Sequence, residues 1–149
     1  MITRSRQLAC WAATWLLAGC ASSGPDDASL LRDMEHGPAL LAFYGDTSVV
    51  QLAATVRVGE VTPVRFTSFA GGCIRQAESV ITVSGLTANI HSRRSELPSR
   101  AVCTTELRID ENVVELQFAE PGRAGVRIAG LARPGDRPIV LERDLLVTP

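Results

Sequence analysis

The sequence contains no lysine, few aromatic residues and no long apolar run. All 15 basic residues of the 149-residue chain are arginines, and aromatic residues make up 5% of it. The arginines are scattered except for one local cluster, so the chain has no polybasic segment of the kind that binds nucleic acid. The longest apolar run has about ten residues, whereas a membrane-spanning helix needs ~20. We therefore expect no nucleic-acid partner and no spanning helix in that run.

The sequence also lacks the motifs of several enzyme classes. It has no G-x-S-x-G nucleophile elbow, no phosphate-binding glycine loop, no dinucleotide fingerprint and no calcium-binding loop. Only two histidines occur, His36 and His91, and zinc usually takes four ligands at regular spacing. The sequence therefore predicts a protein that is not an enzyme and that holds no metal or cofactor.

The first twenty residues differ in composition from the rest of the chain. Two arginines precede an uncharged apolar run over residues 8–17, which holds both tryptophans, Trp11 and Trp15. Positive charge, a short apolar run and small residues follow one another in this order in secretory signals. We expect residues 1–19 to be removed, which leaves 13 arginines against 16 acidic residues, a formal charge of −3, and no tryptophan.

The leader ends in Leu17-Ala18-Gly19-Cys20, and a stretch rich in serine and glycine follows. This tetrapeptide resembles the lipobox of bacterial lipoproteins, in which the cysteine thiol receives a diacylglyceryl group and becomes the first residue after cleavage. The resemblance implies that Cys20 is acylated and anchors the protein in the lipid bilayer. Two or more acyl chains give a stable anchor, whereas one holds only marginally. In Gram-negative lipoproteins an aspartate after the cysteine favours the inner membrane, so Ala21 favours the outer one.

The stretch over residues 20–46 is rich in Ser, Asp and Gly and is interpreted as a tether. Residues 26–34 have the pattern of a short helix, with aspartates near its start and a glycine beyond its end. Its apolar side chains are Leu30, Leu31 and Met34. Two interpretations stay open: these side chains bind a partner, or they pack on the domain or stay mobile.

From residue 47 onwards, apolar and polar residues alternate over short stretches that turn residues separate. The candidate strands are residues 48–56, 62–69, 78–83, 86–92, 102–109, 113–119, 125–131 and 139–147. Turns are predicted at residues 84–85, 110–112 and 133–136. Seven or eight short strands over about a hundred residues predict an all-β sandwich.

The final strands and the Pro-Gly turn between them resemble the closing strands of bacterial immunoglobulin-like domains. A lipobox followed by a small β domain with a Gly-Gly-Cys loop is also similar to small uncharacterised envelope lipoproteins. The resemblance implies an immunoglobulin-like β-sandwich over residues 47–149, without the core tryptophan of antibody domains. It implies no particular function.

Four cysteines are present, and two of them remain once Cys10 leaves with the leader and Cys20 takes lipid. Two thiols in an oxidising compartment most often pair, so we expect a Cys73–Cys103 disulfide. It would close a loop of about 30 residues and stabilise the domain by roughly 3 to 4 kcal/mol. The alternative is a reactive or metal-binding pair, with His91 as a further ligand.

The longest polar interruption of the β region spans residues 91–100 and is interpreted as a loop. It carries Arg93, Arg94 and Arg100, whose guanidinium groups can bind an anion with two hydrogen bonds each, or can simply be solvated. The expected function is that of a membrane-anchored envelope lipoprotein with a non-enzymatic structural or protein-interaction domain. The alternative is a periplasmic or surface module that binds an anionic ligand through these arginines.

Overall fold

The computed structural model describes residues 35–98 and 102–149. The leader, Cys20, the predicted helix over residues 26–34 and Arg100 lie outside the described residues. Regular structure in the described part consists of these strands: β1 (Glu35–Pro38), β2 (Leu40–Phe43), β3 (Asp46–Thr47), β4 (Val50–Gln51), β5 (Thr55–Arg57), β6 (Thr62–Ala70), β7 (Ile74–Ser84), β8 (Thr87–Glu96), β9 (Arg108–Leu116), β10 (Gly122–Arg133) and β11 (Arg137–Thr148). No helix within these residues is long and apolar enough to span a membrane. The all-β class is confirmed.

All described strands belong to one hydrogen-bonded sheet that curls around a core. In one half, β8 lies between β7 and β10, β10 pairs with β11, and β11 pairs with β5. In the other half, β6 pairs with β9 on one side and with β4 and β2 on the other. Strand β2 joins the halves because it also pairs with β10.

This sheet is continuous, whereas a sandwich is built from two separate sheets. The pairings of β8 with β10, β2 with β10 and β5 with β11 are parallel, so the sheet is mixed. The immunoglobulin-like arrangement therefore stays a prediction.

The sheet begins earlier than the sequence suggested, because β1, β2 and part of β3 lie within the predicted tether of residues 20–46. Leu40 and Leu41 are 2% and 0% exposed, so this apolar pair is part of the core. Pro38 fits in β1 because β1 pairs with β8 alone among the described strands, so its other side needs no amide donor. The ordered domain thus starts at Glu35 in the described part, and not at residue 47.

The core forms where the alternating strands turn their apolar side chains inward. Val64 and Phe66 of β6 face Val126 and Ile128 of β10 within one buried cluster. Other members come from the remaining long strands and the segment after β9; among them are Ala88, Ile90, Val114, Leu116, Phe118, Ala124, Leu145 and Val147. The two halves of the curled sheet therefore enclose a common core.

The turn predicted at residues 110–112 is wrong, because these residues lie inside the continuous strand β9. Asn112 is 1% exposed, and its side-chain amide donates hydrogen bonds to the Phe66 carbonyl at 3.2 Å and to Ser68 Oγ at 3.0 Å. The amide nitrogen of this buried side chain is thus satisfied from the neighbouring strand, whereas its Oδ1 is buried without a hydrogen-bond partner among the described residues. The predicted strand over residues 102–109 is irregular up to residue 107.

Two predicted hairpin turns are confirmed. Gly85, with a φ of 57°, lies in the turn between β7 and β8, and Gly135, with a φ of 92°, lies in the turn between β10 and β11. Both values fall in the left-handed region that glycine adopts without strain. The residue types of the two turns were therefore sufficient to predict the positions of both hairpins.

Candidate functional site

A disulfide joins Cys73, in the turn after β6, to Cys103, in the irregular segment before β9, with 5.0 Å between the Cα atoms. This bond fits the predicted pairing. Gly72 next to it has a φ of 58°, and a side-chain carbon there would lie 2.7 Å from the Thr104 carbonyl oxygen. The segment from residue 103 onward therefore packs directly on the glycine backbone. The Gly-Gly-Cys stretch thus has a structural role, since it holds this segment through close packing and the disulfide.

The interpretation of residues 91–100 as a loop is wrong up to residue 96, because those residues belong to β8. Here β8 lies between β7 and, in succession, β10 and β1, so its backbone pairs on both sides. Ser92 and Ser95 are 1% and 5% exposed. The polar composition of this stretch therefore does not reflect exposure to solvent, because neighbouring strands cover both serines.

The predicted arginine cluster does not converge on one site. Arg93 and Arg94 are neighbours in a strand, and successive side chains of a strand point to opposite faces. The Arg94 side chain is 14% exposed, and its Nη2 lies 3.6 Å from Glu96 Oε2. Arg93 instead lines a groove on the other face. Of the predicted anion-binding residues in the described part, Arg93 alone borders a concave surface.

This groove, here called the outer groove, has a volume of about 470 Å³ and crosses β1, β8, β10 and β11 on the face away from the core. Its apolar lining includes Ala129, Leu131, Pro138, Ile139 and Val140. Its basic and polar lining includes His36, His91 and Arg93. Both histidines of the chain therefore border one surface, although 55 positions separate them.

The outer groove opens where β8 changes its pairing partner. His91 pairs with Ala129 of β10, and two residues later Arg93 pairs with Pro38 of β1. Between these pairs, the Ala39 amide donates to the Ser92 carbonyl at 2.9 Å, and the Ala39 carbonyl accepts from the Leu131 amide at 2.8 Å. Ala39 therefore bridges β8 and β10 at the point where they separate, between groove-lining residues of β1, β8 and β10.

The charge of the outer groove is of one sign. No acidic residue occurs among its lining residues, and Arg93 supplies a positively charged guanidinium group. Imidazole rings at His36 and His91 can donate further hydrogen bonds. Within residues 35–98 and 102–149, no three His, Cys, Asp or Glu side chains lie close enough to hold a metal ion. The groove thus suits an apolar ligand that carries negative charge.

A second, smaller hollow of about 210 Å³ lies over β4, β6 and β9. Its arginine, Arg65, pairs with Glu111 at 3.0 Å, so its charge is neutralised within the site. Nearby in β9, Arg108 donates hydrogen bonds to the Asp110 carboxylate, and these bonds together with the charge of that carboxylate raise the pKa of Arg108. Neither arginine is open to a ligand in the way that Arg93 is.

Sequence reasoning missed most of the outer groove. One usable signal was present, since the outward positions Ala129 and Leu131 of β10 are apolar where a solvated face would carry polar residues. No local sequence pattern indicates that His36 and His91 border the same groove, because the pairing of β1 with β8 brings them there.

No family model, no curated protein and no solved structure matches this chain. The fold and the site define a disulfide-linked all-β domain with one open, apolar and basic groove on its sheet face. Its function is therefore argued from the leader motif and from this groove.

Proposed function

We propose that the chain is a bacterial envelope lipoprotein, anchored through acylated Cys20, whose β domain is a non-enzymatic protein-interaction module. The motif Leu17-Ala18-Gly19-Cys20 supports the anchor, and Ala21 supports the outer membrane in a Gram-negative host. The outer groove is the observation that carries the proposal for the domain. It is an open, mostly apolar surface on a sheet, bordered by basic groups and by no acidic one.

The connection between anchor and domain supports a partner near the membrane. Fourteen residues lie between Cys20 and the first described strand, which begins at Glu35. At ~3.4 Å per residue they reach at most about 50 Å from the bilayer surface. The outer groove includes His36, so it borders the end of the domain chain that is nearest the anchor in sequence.

The proposed partner is an extended segment of another envelope protein that carries apolar and acidic side chains. Leu131, Pro138 and Val140 offer apolar contact, and Arg93 offers a charged hydrogen bond to a carboxylate. An open groove across several strands accommodates a chain that continues in both directions, which an enclosed cavity does not.

A small anionic ligand is the second candidate, and the position of Arg93 in the groove favours it. It would bind through Arg93 and the two histidines, without Arg94, whose side chain lies beside Glu96. Arg100 lies outside the described residues. The ligand would need an apolar part, because apolar side chains form most of the groove.

For the fold, we propose that the curled sheet is a variant of the immunoglobulin-like sandwich. Support comes from the common core, which β6 and β9 share with β8, β10 and β11. In this proposal β2 is the strand that bridges the two layers.

The test is cross-linking in the native envelope followed by purification of the full-length lipidated protein. Wild type is compared with Arg93→Glu and Val140→Asp in the outer groove, and with Val113→Asp on β9, which is 50% exposed and far from the groove in the sheet order. We expect one envelope protein to be captured by wild type and Val113→Asp, with at least a tenfold loss in both groove variants. Equal capture by all four proteins would overturn the proposed surface. Capture of no protein, together with a small anion found by native mass spectrometry, would favour the second candidate.

A further inference from the structure

The longest unprotected edge among the described strands belongs to β7. This strand pairs with β8 on one side, and no described strand pairs with its other side. Residues 79–84 read Ser-Val-Ile-Thr-Val-Ser and carry no charge. Val80, Ile81 and Val83 are 46%, 38% and 39% exposed. The edge thus offers free backbone amides and carbonyls together with β-branched side chains on both faces.

The other long edges of the described sheet carry charged side chains. Residues 137–145 of β11, which pair with β10 alone among the described strands, include Arg137, Glu142, Arg143 and Asp144. On β9, whose partner is β6 alone, the charged side chains are Arg108, Asp110, Glu111 and Glu115. Strand β5 has three residues, too few for extended pairing. Charged side chains and short length are the usual means by which proteins prevent pairing between sheet edges. Residues 79–84 have neither.

We propose that β7 is a self-association surface, where two copies of this chain pair antiparallel through residues 80–84 and form one continuous sheet. A two-fold axis at Thr82 places Ile81 of one copy opposite Val83 of the other, so that β-branched side chains meet across the interface. In this register Glu78 lies outside the paired residues, and the two Glu78 positions lie about eight residues, or ~26 Å, apart along the strands.

The absence of charge along the β7 edge favours a second copy of this chain as the strand that pairs with it. An uncharged edge is complementary to itself, because neither copy brings a like charge into the interface. Pairing of β7 with the β9 edge of another copy would instead set carboxylates of Asp110 and Glu115 beside Ile81 or Val83. A symmetric pair also closes after two copies and avoids an open chain.

The proposed interface is small, and its small area limits the affinity between the two copies. Five paired residues on each side bury less than the ~1,200 Å² of a standard stable interface, so we expect weak, concentration-dependent association. Confinement of the chains to a membrane would raise their local concentration. Pairing itself requires no anchor, so this inference does not depend on the proposed function.

The first experiment is site-directed cross-linking of the full-length protein under mild oxidation. A Thr82→Cys variant should form an intermolecular disulfide, because the two-fold axis brings the two positions opposite each other. The matched control is Val113→Cys on the β9 edge, which should stay uncrosslinked at the same concentration. Equal cross-linking of the two variants, or none in either, would overturn the proposal.

The second experiment measures sedimentation of the purified protein in detergent, at an excess that leaves one chain per micelle. Ile81→Lys and Thr82→Lys should each raise the dissociation constant at least tenfold, since two lysines would face the partner edge. Val113→Lys should leave it unchanged. A monomer at every concentration, or cross-linking of Thr82→Cys to a different protein in the envelope, would contradict pairing between two copies.

Discussion

The backbone amide of Leu131 donates a hydrogen bond of 2.8 Å to the carbonyl of Ala39. The Ala39 amide in turn donates to the Ser92 carbonyl at 2.9 Å, so one residue satisfies β8 and β10 where these strands separate. The same residue precedes β2, which links the two halves of the sheet. The separation of β8 from β10 and the link between the two halves of the sheet therefore depend on one short segment.

Gly130→Ala should disturb this segment. A side-chain carbon at Gly130 would lie 2.6 Å from Leu41 Cγ and 2.7 Å from the Ala39 carbonyl oxygen, and the backbone cannot yield to it easily. We expect the free energy of unfolding, measured by urea denaturation, to fall by about 1–3 kcal/mol. The control is Gly125→Ala in the same strand, where the nearest atom is Asp144 Oδ1 at 3.9 Å. Similar losses in both variants would contradict the close approach of Ala39.

Leu41→Ala tests whether β2 belongs to the domain. Leu41 is fully buried in the core cluster, so its truncation should lower the free energy of unfolding by about 2–5 kcal/mol. Val49→Ala, at a side chain that is 58% exposed, should cost less than about 0.5 kcal/mol. If Leu41→Ala costs no more than Val49→Ala, the tether extends past β2 as its composition suggested.

Local signals predicted part of this fold. The alternation of apolar residues located β6 and the longer part of β10, and the glycines of the two confirmed turns located their hairpins. These features depend on residues close together in sequence, since a turn type and a two-residue period are local properties.

Non-local pairing explains what the sequence did not predict. Leu40 and Leu41 join the core because β2 lies between β10 and β6, which are distant from it in the chain. Arg93 and Arg94 look like a solvated pair until strand pairing sends one to the outer groove and the other towards Glu96. Amino-acid composition does not indicate which distant strands and side chains these residues contact.

Loss of the disulfide should weaken the domain without abolishing its fold. The bond closes a loop with a sequence separation of 30, and this length corresponds to roughly 3 to 4 kcal/mol in the chain-entropy model. We expect Cys103→Ser to lower the free energy of unfolding by that amount. Reduction of the wild-type protein with dithiothreitol serves as the control and should give the same loss. If the disulfide does not contribute to stability, the Cys103→Ser variant and the reduced wild-type protein will both unfold at the midpoint of the oxidised wild-type protein, which would contradict this prediction.

Asn112→Ala tests the polar residue inside β9. Its side-chain amide donates to the Phe66 carbonyl, to Ser68 Oγ and to the Asp110 carbonyl, and truncation removes all of these contacts. The expected loss in the free energy of unfolding is about 1–3 kcal/mol. Gln117→Ala removes a hydrogen bond to the Gly59 carbonyl at an exposed position and should cost less. The reverse order of the two losses would show that Asn112 does not stabilise the strand.

Mass spectrometry of the N-terminal peptide, from protein extracted from the bacterial envelope, tests the anchored lipoprotein most directly. The predicted result is a peptide that begins at Cys20 and carries a diacylglyceryl group on its thiol, with no acylated peptide from a Cys20→Ser variant. An unmodified Cys20, or a mature N-terminus at another residue, would contradict the account.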